Sequence, residues 1–161
     1  MRVAVKLEVA VVKAVRAPLR VASLRSALAG AATVAEIAAR LPEGASVTVR
    51  LTGDRELRRL NREFRGLDET TDVLSFATGA AAGEPYLGDL AVSWPAVQRQ
   101  AAEYGHPEPV EAALLAVHGL LHLLGWDHEG PAEEREMWRL TGAALAAAGV
   151  SGLAAGRLPT S

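Results

Sequence analysis

Residues 117–128 read VHGLLHLLGWDH. This is one of the most apolar stretches of a 161-residue chain, yet it holds three of the chain's four histidines. The surrounding residues predict an apolar helix over Glu108–Leu124. His118 and His122 stand four apart, one helical turn, so both rings can point at one atom between them. Gly125 follows where a helix often ends. Beyond that turn His128 can fold back toward the same point. The pattern is two ligands on a rigid helix, a glycine turn and a third ligand on a loop. Three neutral imidazoles, each about 2.0–2.1 Å from a metal, leave one position of a tetrahedral zinc open. That position holds water, which the metal acidifies until hydroxide is available near neutral pH. The competing reading is three ordinary core histidines. Each would need a partner, because an unsatisfied buried polar group costs about 1–3 kcal/mol. Three within eleven residues, with a glycine at the turn, favour the metal set.

The chain has no cysteine. Disulfides and thiolate zinc sites are therefore excluded, and any metal must be held by nitrogen and oxygen. The spacing H-x3-H-x2-G-x2-H resembles that of the metzincin metalloproteases. Those carry glutamate directly after the first histidine as general base. Here that position is Gly119, so the ligand geometry is shared without the peptidase base.

Outward from this helix, residues 3–12 alternate as a strand does. Residues 19–40 are rich in Ala and Leu and predict a helix, broken near Gly30. Ser46–Leu51 is β-branched and alternating, hence a strand. Asp54 caps a helix over about 54–64. Val73–Phe76 and Leu87–Ser93 are short strands, joined by a loop rich in Gly and Ala. Pro95 opens a helix to about Tyr104, and Pro131 opens a last one to about Ala148. Strands come early and helices dominate late. The expected fold is α+β, a small mixed sheet of about four strands packed against several helices, with a zincin-like metal helix. Residues 1–150 read as one domain and 151–161 as a loose tail.

A second feature is DRELRRLNREFRG, residues 54–66. Arg55, Arg58, Arg59 and Arg62 share one side of the helix, and Leu57, Leu60 and Phe64 the other. Such a charged face is usually solvated, and it can also extend a track for a nucleic acid backbone. Arg65 differs, lying just before Gly66 where the chain turns. A guanidinium there can serve as a fixed fork for phosphate oxygens. Asp72 and Asp89 precede apolar runs, where aspartate commonly begins a segment. Glu133 and Glu134 suit the first turn of a helix. His106, in YGHPEP, reads as a surface residue.

Taken together these residues resemble the YbeY family of bacterial endoribonucleases, also described as rRNA maturation factors. The likeness runs in order over roughly residues 46–145. The family's HLLGYDH stands here as HLLGWDH, with Trp126 in place of tyrosine. LNREFRGLDETTDVLSF resembles the family's arginine segment and its following strand, and LGDLAVS its L-G-D strand. Thr70 and Ala77 stand where the family often has proline. Residues 1–45 show no distinctive likeness. The resemblance implies one zinc ion per chain, held by His118, His122 and His128. It implies a functional arginine at Arg65 and cleavage of single-stranded RNA. It further implies maturation of the 16S rRNA 3′ end, ribosome quality control with the small subunit or its proteins as partners, and a cytoplasmic location.

The net charge is −2 and the pI about 6.1. No global basic field advertises nucleic acid, so any polyanion site is local. Lys6, Glu8 and Lys13 interrupt the apolar N-terminus, so it reads as a strand rather than a signal peptide. No run of about 20 apolar residues predicts a membrane span. Two other classes share these features. A zinc peptidase would use the same ligands, against which Gly119 speaks. A non-catalytic ribosome-associated zinc protein fits the acidic pI, because a nuclease acting alone usually has more basic surface. The oligomeric state is left open.

Overall fold

The computed structural model describes residues 6–77, 85–127 and 129–158. The elements run β1 (Glu8–Lys13), α1 (Val21–Ala31), α2 (Ala35–Ala38), β2 (Ser46–Thr52), α3 (Asp54–Arg65), β3 (Val73–Phe76) and β4 (Tyr86–Ser93). Three helices follow: α4 (Trp94–Tyr104), α5 (Glu108–Leu123) and α6 (Pro131–Ala147). The sheet order is β1-β2-β4-β3. β2 pairs in parallel with β1 and β4, and β3 runs antiparallel to β4. This is the expected α+β architecture with a mixed four-stranded sheet.

The apolar helix of the sequence is the centre of the molecule. α5 is buried from Val110 through Leu121, and a helix apolar on every side needs walls on every side. Those walls are α1, α4, α6, β3 and β4. Strand alternation supplies a second, smaller core. Leu90 and Val92 of β4 face the main core, whereas Ala91 joins Leu74 of β3 and Leu57 of α3. α3 therefore lies across the β3–β4 half of the sheet on the face opposite α5. β3 is held between the histidine helix and the arginine helix.

Several boundaries differ from the sequence reading, each for a physical reason. The first strand begins at Glu8, since its length is set by pairing of Glu8 with Ser46 through Lys13 with Leu51; residues 1–5 lie outside the described residues. The helix expected over 19–40 is two helices, and Gly30 is inside the first. A Cβ at Gly30 would come within 2.5 Å of Ala148, so the glycine lets α1 pack against the end of α6. The break follows at Thr33, whose hydroxyl donates to the Gly30 carbonyl at 2.7 Å. The fourth strand starts at Tyr86, one residue earlier than expected. The Gly/Ala-rich loop at 78–84 lies outside the described residues. Within the segment expected as a tail, Leu153 and Leu158 pack on the core and Arg157 is buried.

Asp54 does not cap α3, whose N-cap is Gly53. Its carboxylate instead accepts from Arg99 at 2.8 Å and from the Ser93 hydroxyl at 2.6 Å, joining α3 to the β4–α4 junction. The Arg99 guanidinium, helped by Ser93, holds the Asp54 carboxyl below its ordinary value against the opposing effect of burial. A depressed carboxylate contributes stability that is present above its unfolded value and lost as pH falls through the folded one. Asp54→Asn is therefore expected to flatten the loss of stability between about pH 5 and pH 2, read by urea unfolding across that range. An unchanged slope would contradict this assignment.

Candidate metal centre

α5 ends in a turn that fixes where its histidines look. Gly125 takes φ +100°, its N–H donates to the His122 carbonyl at 3.1 Å, and the Trp126 N–H donates to the Leu121 carbonyl at 3.0 Å. This paired closure is a Schellman cap, which favours glycine at its left-handed position. Arg40 holds the same turn from outside. It donates to the Leu124 carbonyl at 3.1 Å, and its guanidinium lies 3.7 Å from the centroid of the Trp126 ring. A cation at a helix C-terminus is favoured by the exposed carbonyls, and stacking on indole adds to it.

His118 and His122 are brought together as the spacing requires. Their ring centroids are 5.2 Å apart with planes at 79°. His118 is 9% exposed and His122 half-buried. Two rings bonded to one tetrahedral metal at about 2.0–2.1 Å, with the centroid about 1.2 Å behind each nitrogen, would stand about 5 Å apart. The pair fits that donor set. Among the described residues no three metal-binding side chains form a group. The third expected ligand, His128, lies outside the described residues, and its neighbour Asp127 is exposed at the cleft.

The two histidines open onto a cleft of about 440 Å³, floored by β3. Arg65, Thr71, Asp72, Ser75 and Asp127 contribute its polar lining. Arg65 is the last residue of α3, and Gly66, at φ +72°, ends the helix there. The Arg65 side chain is thus delivered to the histidine cleft from the opposite face of the sheet. The other arginines divide. Arg58 grips Asp68 with two bonds of 2.8 and 3.3 Å, and Arg59 pairs with Glu63 at 3.0 Å. These are exposed pairs, screened by solvent, and add little to stability.

Gly119 is where α5 touches the sheet. A Cβ there would meet Val73 at 3.1 Å and Leu90 at 3.2 Å, and the Ser75 hydroxyl donates to the Gly119 carbonyl at 2.8 Å. The position that holds the base in metzincins is filled here by strand side chains. Gly119→Glu is expected to destabilise the protein by about 1–3 kcal/mol through overpacking, without creating peptidase activity. Denaturant unfolding and a casein digest with a chelator control check both halves.

Asp72 lines the cleft, and its Oδ2 accepts from the Gln100 amide at 3.1 Å. Asp89 is elsewhere, accepting a short bond from the Tyr86 hydroxyl, which is also hydrogen bonded to Thr48. His106, expected at the surface, is buried. Its Nδ1 accepts the Ala154 N–H at 3.0 Å, so Nε2 carries the proton and donates to Glu111 at 2.7 Å. Glu111 also accepts from Arg157 at 2.7 and 3.0 Å. Sequence reasoning missed Arg40, Arg157 and Trp138, whose indole lies 4.8 Å from His118, centroid to centroid. Each acts across a fold contact, and no local pattern marks it.

The fold and site define an α+β protein whose central helix presents two histidines, one turn apart, to a cleft shared with an arginine. Comparison with known proteins makes this specific. A family model described as Endoribonuclease YbeY matches residues 14–149. The Endoribonuclease YbeY of Chloroflexus aurantiacus is 53% identical over 116 residues, covering 66% of this chain and 75% of that one. That of Geobacillus thermodenitrificans is 48% identical over 108 residues, covering 61% and 69%. The chain belongs to the endoribonuclease YbeY family, and the match extends upstream of residue 46, where the sequence alone carried no distinctive likeness. The solution structure of TM1509 from Thermotoga maritima shares the fold, with a TM-score of 0.55, 21% identity, and coverage of 87% of this chain and 89% of that one.

Proposed function

We propose that this protein is a zinc-dependent endoribonuclease of single-stranded RNA, with one zinc per chain held by His118, His122 and His128. The observation that carries this reading is the meeting of His118, His122 and Arg65 at one cleft in a chain of this family. Zinc bound there supplies Lewis-acid polarisation of a phosphoryl oxygen and activation of the nucleophile. Arg65 receives the phosphate. Its guanidinium offers paired donors to two oxygens and neutralises charge that grows on them as the bond breaks. The β3 floor holds the strand in extended form. Only a single strand brings its backbone close to such a floor without a second strand in the way. Arg62 and Arg65 give the backbone a local cationic lead-in that the chain's overall acidity does not cancel. Maturation of the 16S rRNA 3′ end near the small ribosomal subunit, in the cytoplasm, is the substrate and setting we assign. No helix among the described residues is long and apolar enough to cross a membrane.

A labelled single-stranded RNA, incubated with zinc-loaded protein, tests this reading. Arg65→Ala is expected to lower kcat by about 10²–10³-fold, the usual loss for a group that stabilises transition-state charge. Products ending in 2′,3′-cyclic phosphate, with DNA spared, would identify the RNA 2′-hydroxyl as nucleophile. Absence of cleavage with zinc bound would instead favour a non-catalytic ribosome-associated role.

A further inference from the structure

The histidine cleft has a neighbour. A second cavity, of about 290 Å³, lies where α4, α5 and α6 meet the C-terminal segment, and Asp72, Val73 and His118 line both spaces. Anything held in the second cavity is therefore one side chain away from the candidate metal ligands.

The walls of this cavity are flat. The Trp138 indole packs on the His118 ring at 4.8 Å with planes at 31°. The Arg157 guanidinium carbon lies 4.6 Å from the Tyr104 ring centroid and 5.7 Å from that of Trp138. Two aromatic rings and a guanidinium so form a continuous row that begins at His118. Surfaces of this kind bind nucleobases by stacking, and they do so for any base because every base has a π-face.

The polar atoms decide which group enters. Arg157 gives two bonds to Glu111, at 3.0 and 2.7 Å, and a longer one of 3.5 Å to the Gln100 carbonyl oxygen. Gln100 in turn donates its amide to Asp72 at 3.1 Å. Arg157 Nε and Nη2 and the Gln100 amide are thus engaged within the protein, and the Arg157 charge is matched by Glu111. The second oxygen of Asp72 and the exposed Glu103 carboxylate are the acceptors that remain. Such a cavity repels a phosphate and suits a flat neutral group with two or more N–H donors, one for each carboxylate.

We propose that this cavity is a nucleobase subsite for the nucleotide beside the scissile phosphate. It favours bases with an exocyclic amino group (adenine, cytosine, guanine) over uracil. The proposal rests on the RNA-cleaving reading for its place in the reaction. The phosphate stays with Arg65 in the first cleft, and the base turns past His118 into the second.

The test uses single-stranded oligoribonucleotides that differ at one nucleotide flanking the cut: A, C, G, U or an abasic residue. Removing the base at the subsite position is expected to lower kcat/KM by about 10- to 100-fold, with uracil between the extremes. Tyr104→Ala and Trp138→Phe should each shrink that ratio toward one, with bound zinc measured in both because Trp138 touches His118. A ratio near one at every flanking position in the wild type would overturn the subsite while leaving the nuclease intact. If no oligonucleotide is cut, the nuclease reading fails, and nucleotide binding then decides the subsite. AMP should shift the Trp138 indole NMR signal, UMP should do so more weakly, and ribose 5-phosphate should not. Equal shifts from AMP and ribose 5-phosphate, or none from either, would overturn it.

Discussion

His122→Ala is expected to reduce metal-dependent RNA cleavage to background while leaving the chain folded. His122 sits in the last turn of α5, half-buried, with its ring toward the cleft. Its neighbours Leu120 and Leu121 are fully buried and carry the packing of that turn. The Schellman closure uses only the backbone carbonyl of residue 122, which alanine retains. Removing the imidazole therefore takes one donor from the proposed three-nitrogen set without opening the core. Zinc content, cleavage of a labelled RNA and the thermal melt should be read on the same sample. Loss of zinc and cleavage with a nearly unchanged melt is the expected result. His118→Ala is less clean, since its ring is buried under Trp138 and its loss should also cost about 0.5–3 kcal/mol of stability. Full cleavage by the His122 variant would remove that residue from the site.

Arg157→Ala is expected to be the most destabilising single change away from the apolar core. Glu111 is fully buried in the first turn of α5, and Arg157 supplies two of its hydrogen bonds. Burial alone would push the arginine's pKa down, but its bonds and charge attraction to Glu111 win and hold it above the ordinary value. Taking one partner from a buried pair leaves an uncompensated charge, at a cost of about 3–5 kcal/mol. For a chain of this length that corresponds to a fall in Tm of about 10 °C. His106 donates to the same carboxylate and softens the loss without replacing the charge. Glu111→Leu combined with Arg157→Met should recover much of the stability, because paired removal leaves no orphan. A loss under about 1 kcal/mol for Arg157→Ala would show that this ion pair does not anchor the C-terminal segment.

These two residues mark the limit of what the sequence could tell. His118 and His122 were legible because their relation is local: four residues on one helix, with Gly125 to end it. The β2, β3 and α3 segments were legible for the same reason, through alternation or an apolar stripe. The glycines were partly legible. Gly119 could be noticed as a missing glutamate, but its packing against Val73 and Leu90 needs β3 and β4 in place. Gly30 was expected to break a helix, whereas it receives Ala148 from the far end of the chain. Arg40, 84 residues from the carbonyl it caps, has no local signature at all. His106 looked exposed because its loop is polar and carries two prolines. Its burial follows from Glu111 and the Ala154 N–H, which lie 5 and 48 residues away. Arg65 could be singled out by the turn at Gly66, but only the sheet between α3 and α5 brings it to the histidines.

On the proposed reading, a metal held at His118 and His122 drives RNA cleavage at the cleft they share with Arg65. The most direct measurement is cleavage of a labelled single-stranded RNA by chelator-stripped protein as zinc is returned in known equivalents. No cleavage is expected at zero metal, followed by a rise that levels off at one zinc per chain and is absent from His122→Ala. Cleavage at full rate in the stripped protein, or a rise that the His122 variant shares, would contradict it.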